Sequence, residues 1–414
     1  MPLLIYFIFI LIYLLLKRNR SITLIFVLVH IISLIGAMFI DGNYSINTVF
    51  KGYNLAYTAV ILTLVLMPWI KIDKIYTIKV LNEIKVKRLT YALIISSIIP
   101  FITFIAVSTV VLLNVDDINT FKYGEGVSDS FYYSMPINVK LFILSNHLYY
   151  LSYYLIPLHF YYLAKKEFAL SITCFIFSLN IILFGLTCFS RSVYVHYIFI
   201  YLSFLYILFN TFEIQTRRRV KKYVVTFGML FAGYFIYITN ARFANDKLYA
   251  EIIPRDSFIQ DPVIFSYFDY LSQWYYNSMY VLNSYDFETY RGQISSQSVL
   301  SLLSHFKLLD YSTTNYMNLR QTLWPKHWYM FNGLVAYSVF DYGYFFTVVL
   351  SLLYCYVILK LKPVNNSINL LNLFIMVLLI QLPLMAIFYS SVGGLMFPIL
   401  FLIPVYGYLR VRWI

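Results

Sequence analysis

Charge is the scarcest thing in this sequence. Only 12% of its 414 residues are Asp, Glu, Lys or Arg, against roughly 25% in soluble domains, and 61% are hydrophobic. With a mean hydropathy of +0.73, the chain has lipid for a solvent, which excludes the water-soluble globular class. Cysteine is almost missing too. Cys174, Cys188 and Cys355 lie in or beside apolar runs at no metal-ligand spacing, and an odd number offers no disulfide framework. Fourteen glycines build no phosphate-cradling loop, and no zinc motif or Ser-His-Asp order occurs, which argues against an ATPase or a metalloenzyme. The first apolar run, residues 2–16, lacks a basic leader and is followed by Lys17, Arg18 and Arg20 rather than by small residues, so it reads as a retained helix and not a signal peptide. Neither an internal repeat nor a low-complexity linker is visible.

What is present is a series of apolar runs. Eleven are long enough for helices: 2–16, 21–40, 53–70, 90–113, 141–164, 168–186, 192–210, 223–238, 342–359, 368–389 and 395–409. The expected architecture is all-α, a single polytopic membrane domain over residues 1–414 with about 11 transmembrane helices. The net charge of +13 would suit a nucleic-acid partner, but its distribution fits membrane topology instead. Basic residues are retained on the cytoplasmic side, and here the clusters fall on alternate loops. With the N-terminus outside and the C-terminus inside, the inner segments hold 20 of the 31 basic residues and four of the 18 acids, Asp73, Glu83, Glu167 and Glu213. The inner side then sums to +16 and the outer to −3.

Two outer loops are long, 114–140 and 239–341, the second lying between the eighth and ninth helices. Stretches 266–285 and 295–309 of that second loop carry apolar residues at helical spacing, which predicts short helices on or dipping into the outer interface. Its aromatics, among them Tyr267, Phe268, Tyr270, Trp274, Tyr275, Tyr276, Tyr280, Trp324, Trp328 and Tyr329, suit interfacial anchoring and, for some, the apolar faces of sugars.

Arg191 stands in the short outer turn after residue 187, between two strongly apolar helices. Either it snorkels to lipid phosphate, or it holds a diphosphate through two parallel hydrogen bonds. Arg242 opens the long loop, and Arg255, Arg291 and Arg320 follow. Several outer arginines run against the positive-inside tendency, so they read either as an anionic-substrate site or as partners of the loop acids Asp246, Glu251 and Asp256. His305 and His327 have the chemistry of a general base for a sugar hydroxyl, and equally that of surface histidines. His147 and His196 lie near the outer ends of their helices, in reach of one cavity, whereas His30 and His159 sit deeper and read as structural. Asp341 directly precedes an apolar helix, where a carboxylate caps the N-terminus or binds sugar hydroxyls.

In its layout the chain resembles the O-antigen and capsule repeat-unit polymerases. The resemblance covers nearly the whole sequence: about a dozen helices, an arginine in the turn before a middle helix, and one large outer loop in the second half. Its local echoes are Phe189-Ser190-Arg191-Ser192 at that turn and Phe340-Asp341-Tyr342-Gly343 leading into the helix after the loop. It implies a metal-independent membrane glycosyltransferase without cofactors, in a bacterial inner membrane, that moves a growing glycan from undecaprenyl diphosphate onto the terminal sugar of a new lipid-linked repeat unit. The partners it implies are that lipid-linked glycan, membrane lipid, and the flippase and chain-length regulator of the same pathway. In that scheme Arg191 and Arg242 take the diphosphate, Arg291 or Arg320 supports them, and His305 or His327 is the base. A glycan ligase shares all these parts. A lipid-linked oligosaccharide flippase needs charges within the membrane and often repeated halves, and a membrane acyltransferase needs a histidine-acid pair in a helix; neither pattern is seen.

Overall fold

The computed structural model describes residues 2–17, 21–40, 52–72, 75–115, 138–243, 253, 257–283, 289–305, 307–310, 331–389 and 392–410. The described residues are mostly helical, joined by turns and irregular segments and with two three-residue strands, and each of the eleven apolar runs is helical over most of its length. Among the described residues five helices are long and apolar enough to cross a membrane: Gly52–Lys71, Glu83–Asn114, Phe168–Thr187, Ser192–Thr211 and Gly333–Lys360. The chain forms two compact units, the first comprising Met1–Asp73, Ile236–Lys362 and Gln381–Met396, the second Lys74–Phe235, Pro363–Ile380 and Phe397–Ile414.

The first unit is built around Pro262–Asn283. Asp261 caps that helix by accepting the Ile264 amide at 2.8 Å, and Pro262, which has no amide to satisfy, follows it. Trp274, Tyr275 and Tyr276 are buried in the unit's core rather than serving as membrane anchors, and the helix packs against Thr23–Ala37. Trp274 donates its indole N–H to Ser33 Oγ at 2.6 Å, Ser33 donates to the Leu271 carbonyl at 2.7 Å, and the Tyr276 hydroxyl donates to the Ala37 carbonyl at 2.8 Å. These helix-to-helix bonds satisfy polar groups that an apolar surrounding would otherwise leave bare.

Gly36 lets the two helices meet. A Cβ on it would lie 2.3 Å from Ser272 Oγ but 3.5 Å from Ser272 Cβ, so the obstruction is one oxygen atom. Gly36→Ala is expected to destabilise the fold by about 1 to 3 kcal/mol through overpacking, and Gly36→Ala/Ser272→Ala to recover most of it. Apparent melting temperatures of the purified variants test this; a double variant that melts no higher than the single one would remove the steric explanation.

The second unit gathers Glu83–Asn114, Val139–Leu148, Leu155–Ala164, Phe168–Ser178, Asn180–Thr187, Arg191–Leu208 and Leu370–Leu379. Glu83–Asn114 starts well before the expected residue 90. Asn82 accepts the Lys85 amide at 3.0 Å as its cap, and Lys85 itself is buried with its ammonium 2.9 Å from the Tyr408 carbonyl. The expected helix over 141–164 is broken by a 3₁₀ turn at Tyr149–Tyr154. Pro157, three residues on, has no amide to bond back to residue 153, so the α ladder cannot run through. Polar side chains again pair between helices: Asn180 donates to the Ser97 carbonyl at 2.9 Å, Ser178 and Tyr197 share a bond of 2.7 Å, and His159 lies 3.0 Å from Ser171 on one ring nitrogen and 3.0 Å from Tyr201 on the other. The strands, Thr77–Lys79 and Ser367–Asn369, pair in parallel with Ile78 opposite Ile368, a small addition to the expected all-α class.

Candidate functional site

The helix expected from residue 342 begins instead at Gly333 and runs to Lys360, with a break at Gly343, where φ is +77°. Only a residue without Cβ takes that conformation readily. Phe340-Asp341-Tyr342-Gly343 therefore ends one helical stretch and leads into a second that runs to Lys360, as expected, but the capping role expected of Asp341 does not hold, because its carboxylate is engaged elsewhere.

What Asp341 holds is the turn at 290–296 in the long loop. The carboxylate is 1% exposed and accepts three hydrogen bonds, from the Ile294 amide at 3.1 Å, the Ser295 amide at 2.9 Å and the Ser295 hydroxyl at 2.6 Å. Backbone bonds flank it: the Tyr290 amide donates to the Phe340 carbonyl and the Gly292 amide to the Asp341 carbonyl, both at 3.2 Å. Tyr290 and Ile294 are buried beside Val281, Ala336, Tyr337 and Phe340, with the Tyr290 and Phe340 rings 4.6 Å apart. Gly292, at φ +87°, presses against the Tyr342 ring, where a Cβ would come within 3.3 Å. A buried carboxylate that accepts three hydrogen bonds from one turn serves as a scaffold for that turn.

Between these anchors stands Arg291. It is exposed, makes no ion pair with any described residue, and occupies the left-handed region at φ +52°. A non-glycine residue held there carries about 1 kcal/mol of strain or more, sustained by the packing around it. The turn thus presents an exposed guanidinium, whose planar fork of donors suits two parallel hydrogen bonds to an oxyanion such as a phosphate.

No family model, curated protein or solved structure matches this chain.

The other candidates are placed only in part. Arg191 is the first residue of Arg191–Leu208, after a tight turn in which Phe189 adopts φ +47° and Ser190 and Ser192 share a 2.9 Å bond. Arg242 lies one residue before the end of Ile214–Phe243, and His305 ends Gln297–His305. The side chains of Arg191, Arg242 and His305 lie outside the described residues, as do Arg255, Arg320 and His327 and the loop acids Asp246, Glu251 and Asp256. Arg191 belongs to the second unit, Arg242, Arg291 and His305 to the first. His147 and His196 are buried, the one 2.9 Å from the Ile143 carbonyl and against Phe397, the other beside Tyr153. His30 stacks on Phe7 and His159 joins three helices. Sequence reasoning missed Tyr290, Gly292 and Ser295 as parts of the site. The dipeptide Arg291-Gly292 inside an apolar loop was the available signal, since glycine after an exposed cation marks a tight turn.

Proposed function

We propose that this chain polymerises undecaprenyl-diphosphate-linked oligosaccharide repeat units at the periplasmic face of a bacterial inner membrane, its N-terminus outside and its C-terminus inside. The observation that carries the reading is Arg291, an exposed arginine on a strained turn pinned by the buried carboxylate of the Phe340–Gly343 kink. The acidic-aromatic-glycine run is a feature on which the resemblance to repeat-unit polymerases draws, and Arg291 lies in the large outer loop that the resemblance also includes. In the reaction the bond between the anomeric carbon of the growing glycan and its diphosphate oxygen breaks, and a bond from that carbon to an acceptor hydroxyl forms. The electron pair leaves with the diphosphate, whose growing charge meets Arg291 with Arg242 or Arg320, while the hydroxyl proton passes to His305 or His327. Preplaced guanidinium groups supply the stabilisation that a metal supplies in other glycosyl transfers, so no cofactor is required.

The test is genetic. The gene is deleted in its host, complemented with wild type, Arg191→Ala, Arg242→Ala or Arg291→Ala, and the surface and lipid-linked glycans are separated on a gel that resolves single repeats. Loss of the ladder with single repeats still exported and attached is the expected phenotype of the deletion, and the Arg291→Ala strain should match it at normal expression. Full-length polymer accumulating unattached on its lipid would make the chain a ligase. Repeats retained on the inner face would make it a transporter.

A further inference from the structure

The second unit concentrates positive charge at one end, and the way its acids are engaged is informative. Two consecutive lysines in the turn after Leu155–Ala164 reach to two different elements: Lys165 pairs with Glu83, in the first turn of Glu83–Asn114, and Lys166 with Glu213, just before Ile214–Phe243, at 2.7 Å. The two ion pairs draw three chain segments to one surface and neutralise two of its acids. The third acid, Glu167, precedes the first turn of Phe168–Ser178, where the helix dipole favours it. Three of the cations are also engaged locally, among them Arg410, whose guanidinium lies 4.5 Å from the Tyr406 ring. Arg217 donates to the Phe212 and Asn210 carbonyls at 2.7 and 2.8 Å, and the Lys221 ammonium lies 5.5 Å from the Phe209 ring. Lys87, Arg88, Arg218, Arg219, Lys222 and Arg410 remain exposed without an acidic partner among the described residues. Lys87 and Arg88 lie within two turns of Glu83, and Arg410 lies two residues from the Tyr408 carbonyl that Lys85 binds, so they belong to the same end.

We propose that this face is a binding surface for acidic phospholipid headgroups. Topology alone requires only that cations outnumber acids on the inner side. Here two of the three acids, Glu83 and Glu213, are in addition paired with intramolecular lysines, which leaves a predominantly cationic surface at the ends of apolar helices, where the phosphates of a leaflet lie. On the helix Ile214–Phe243, Arg218 and Lys222 stand one turn apart on the face that continues into Val225 and Met229, 55% and 71% exposed. Cation then apolar side chain along one stripe matches headgroup then acyl chain. The proposal rests on the membrane placement above and is independent of the glycan chemistry.

The full chain is reconstituted into bilayers of zwitterionic lipid, and its association with spin-labelled phosphatidylglycerol is compared with that of spin-labelled phosphatidylcholine. The acidic label should associate at least about twofold more strongly at low salt, with the ratio falling towards one as salt screens it. Arg218→Gln/Arg219→Gln/Lys222→Gln should remove half or more of the preference. Glu83→Gln/Glu213→Gln should raise it, because two lysines are released to the lipid, and a variant that merely damaged the fold would not gain preference. A chain that incorporates but shows no preference, or an acid-free variant whose preference is unchanged or lower, would overturn the proposal. Failure to incorporate at all would instead overturn the membrane placement.

Discussion

Arg291→Gly is expected to reduce glycan transfer by about 100-fold while leaving the protein as stable as before, or more stable by roughly 1 kcal/mol. The two halves of that expectation come from one dihedral angle. At φ +52° an arginine pays a steric penalty that glycine does not, so glycine suits the turn's backbone better, and on the proposed reading the arginine serves through its side chain. The lost transfer is the contribution of a preorganised donor at a developing oxyanion. Arg291→Lys should fall between, since an ammonium keeps the charge but not the two parallel donors. Initial rates of repeat addition, read beside apparent melting temperatures, separate the cases. A variant that melts early and loses activity in proportion would make Arg291 structural, and one that stays active would remove it from the site.

How far the sequence foretold this arrangement differs between fold and site. Hydrophobic runs located the helices because burial in an apolar phase leaves a 20-residue stretch few alternatives. Their ends were less legible. Lys85, Lys87 and Arg88 read as loop because they are charged, yet helices tolerate lysine and arginine well, and Asn82 starts the helix seven residues earlier. Gly333–Lys360 begins nine residues before the apolar run, since Phe340, Tyr337 and Ala336 pack inside the first unit rather than facing a uniform apolar medium. Trp274, Tyr275 and Tyr276 are buried where anchoring was expected, for a related reason. Tyrosine and tryptophan serve both as membrane belts and as buried donors, and only the neighbours decide; for Trp274 the neighbour is Ser33, 241 residues away in sequence. Arg291 and Asp341 were each singled out, but their connection through the Ser295 hydroxyl and two backbone amides has no sequence period to announce it. A contact between residues 46 apart is set by tertiary packing.

Removing the Asp341 carboxylate should be the most damaging single change at the site. In Asp341→Ala three buried donors lose their acceptor, and at about 1 to 3 kcal/mol for each buried group left unsatisfied, partly relieved by relaxation, the expected loss is about 3 to 5 kcal/mol. Asp341→Asn should cost less, because one oxygen still accepts while the amide nitrogen is turned against a donor. If Asp341 acts by positioning Arg291, its effect on transfer must disappear when there is no guanidinium to position. Asp341→Asn should therefore slow transfer in the wild-type background and add nothing to Arg291→Gly, although it should lower the melting temperature in both. Equal proportional losses of transfer in the two backgrounds would show that the carboxylate serves the fold alone. Loss confined to the background that keeps Arg291 would tie the buried acid to the exposed base, the link that makes a kinked helix and a strained turn one device.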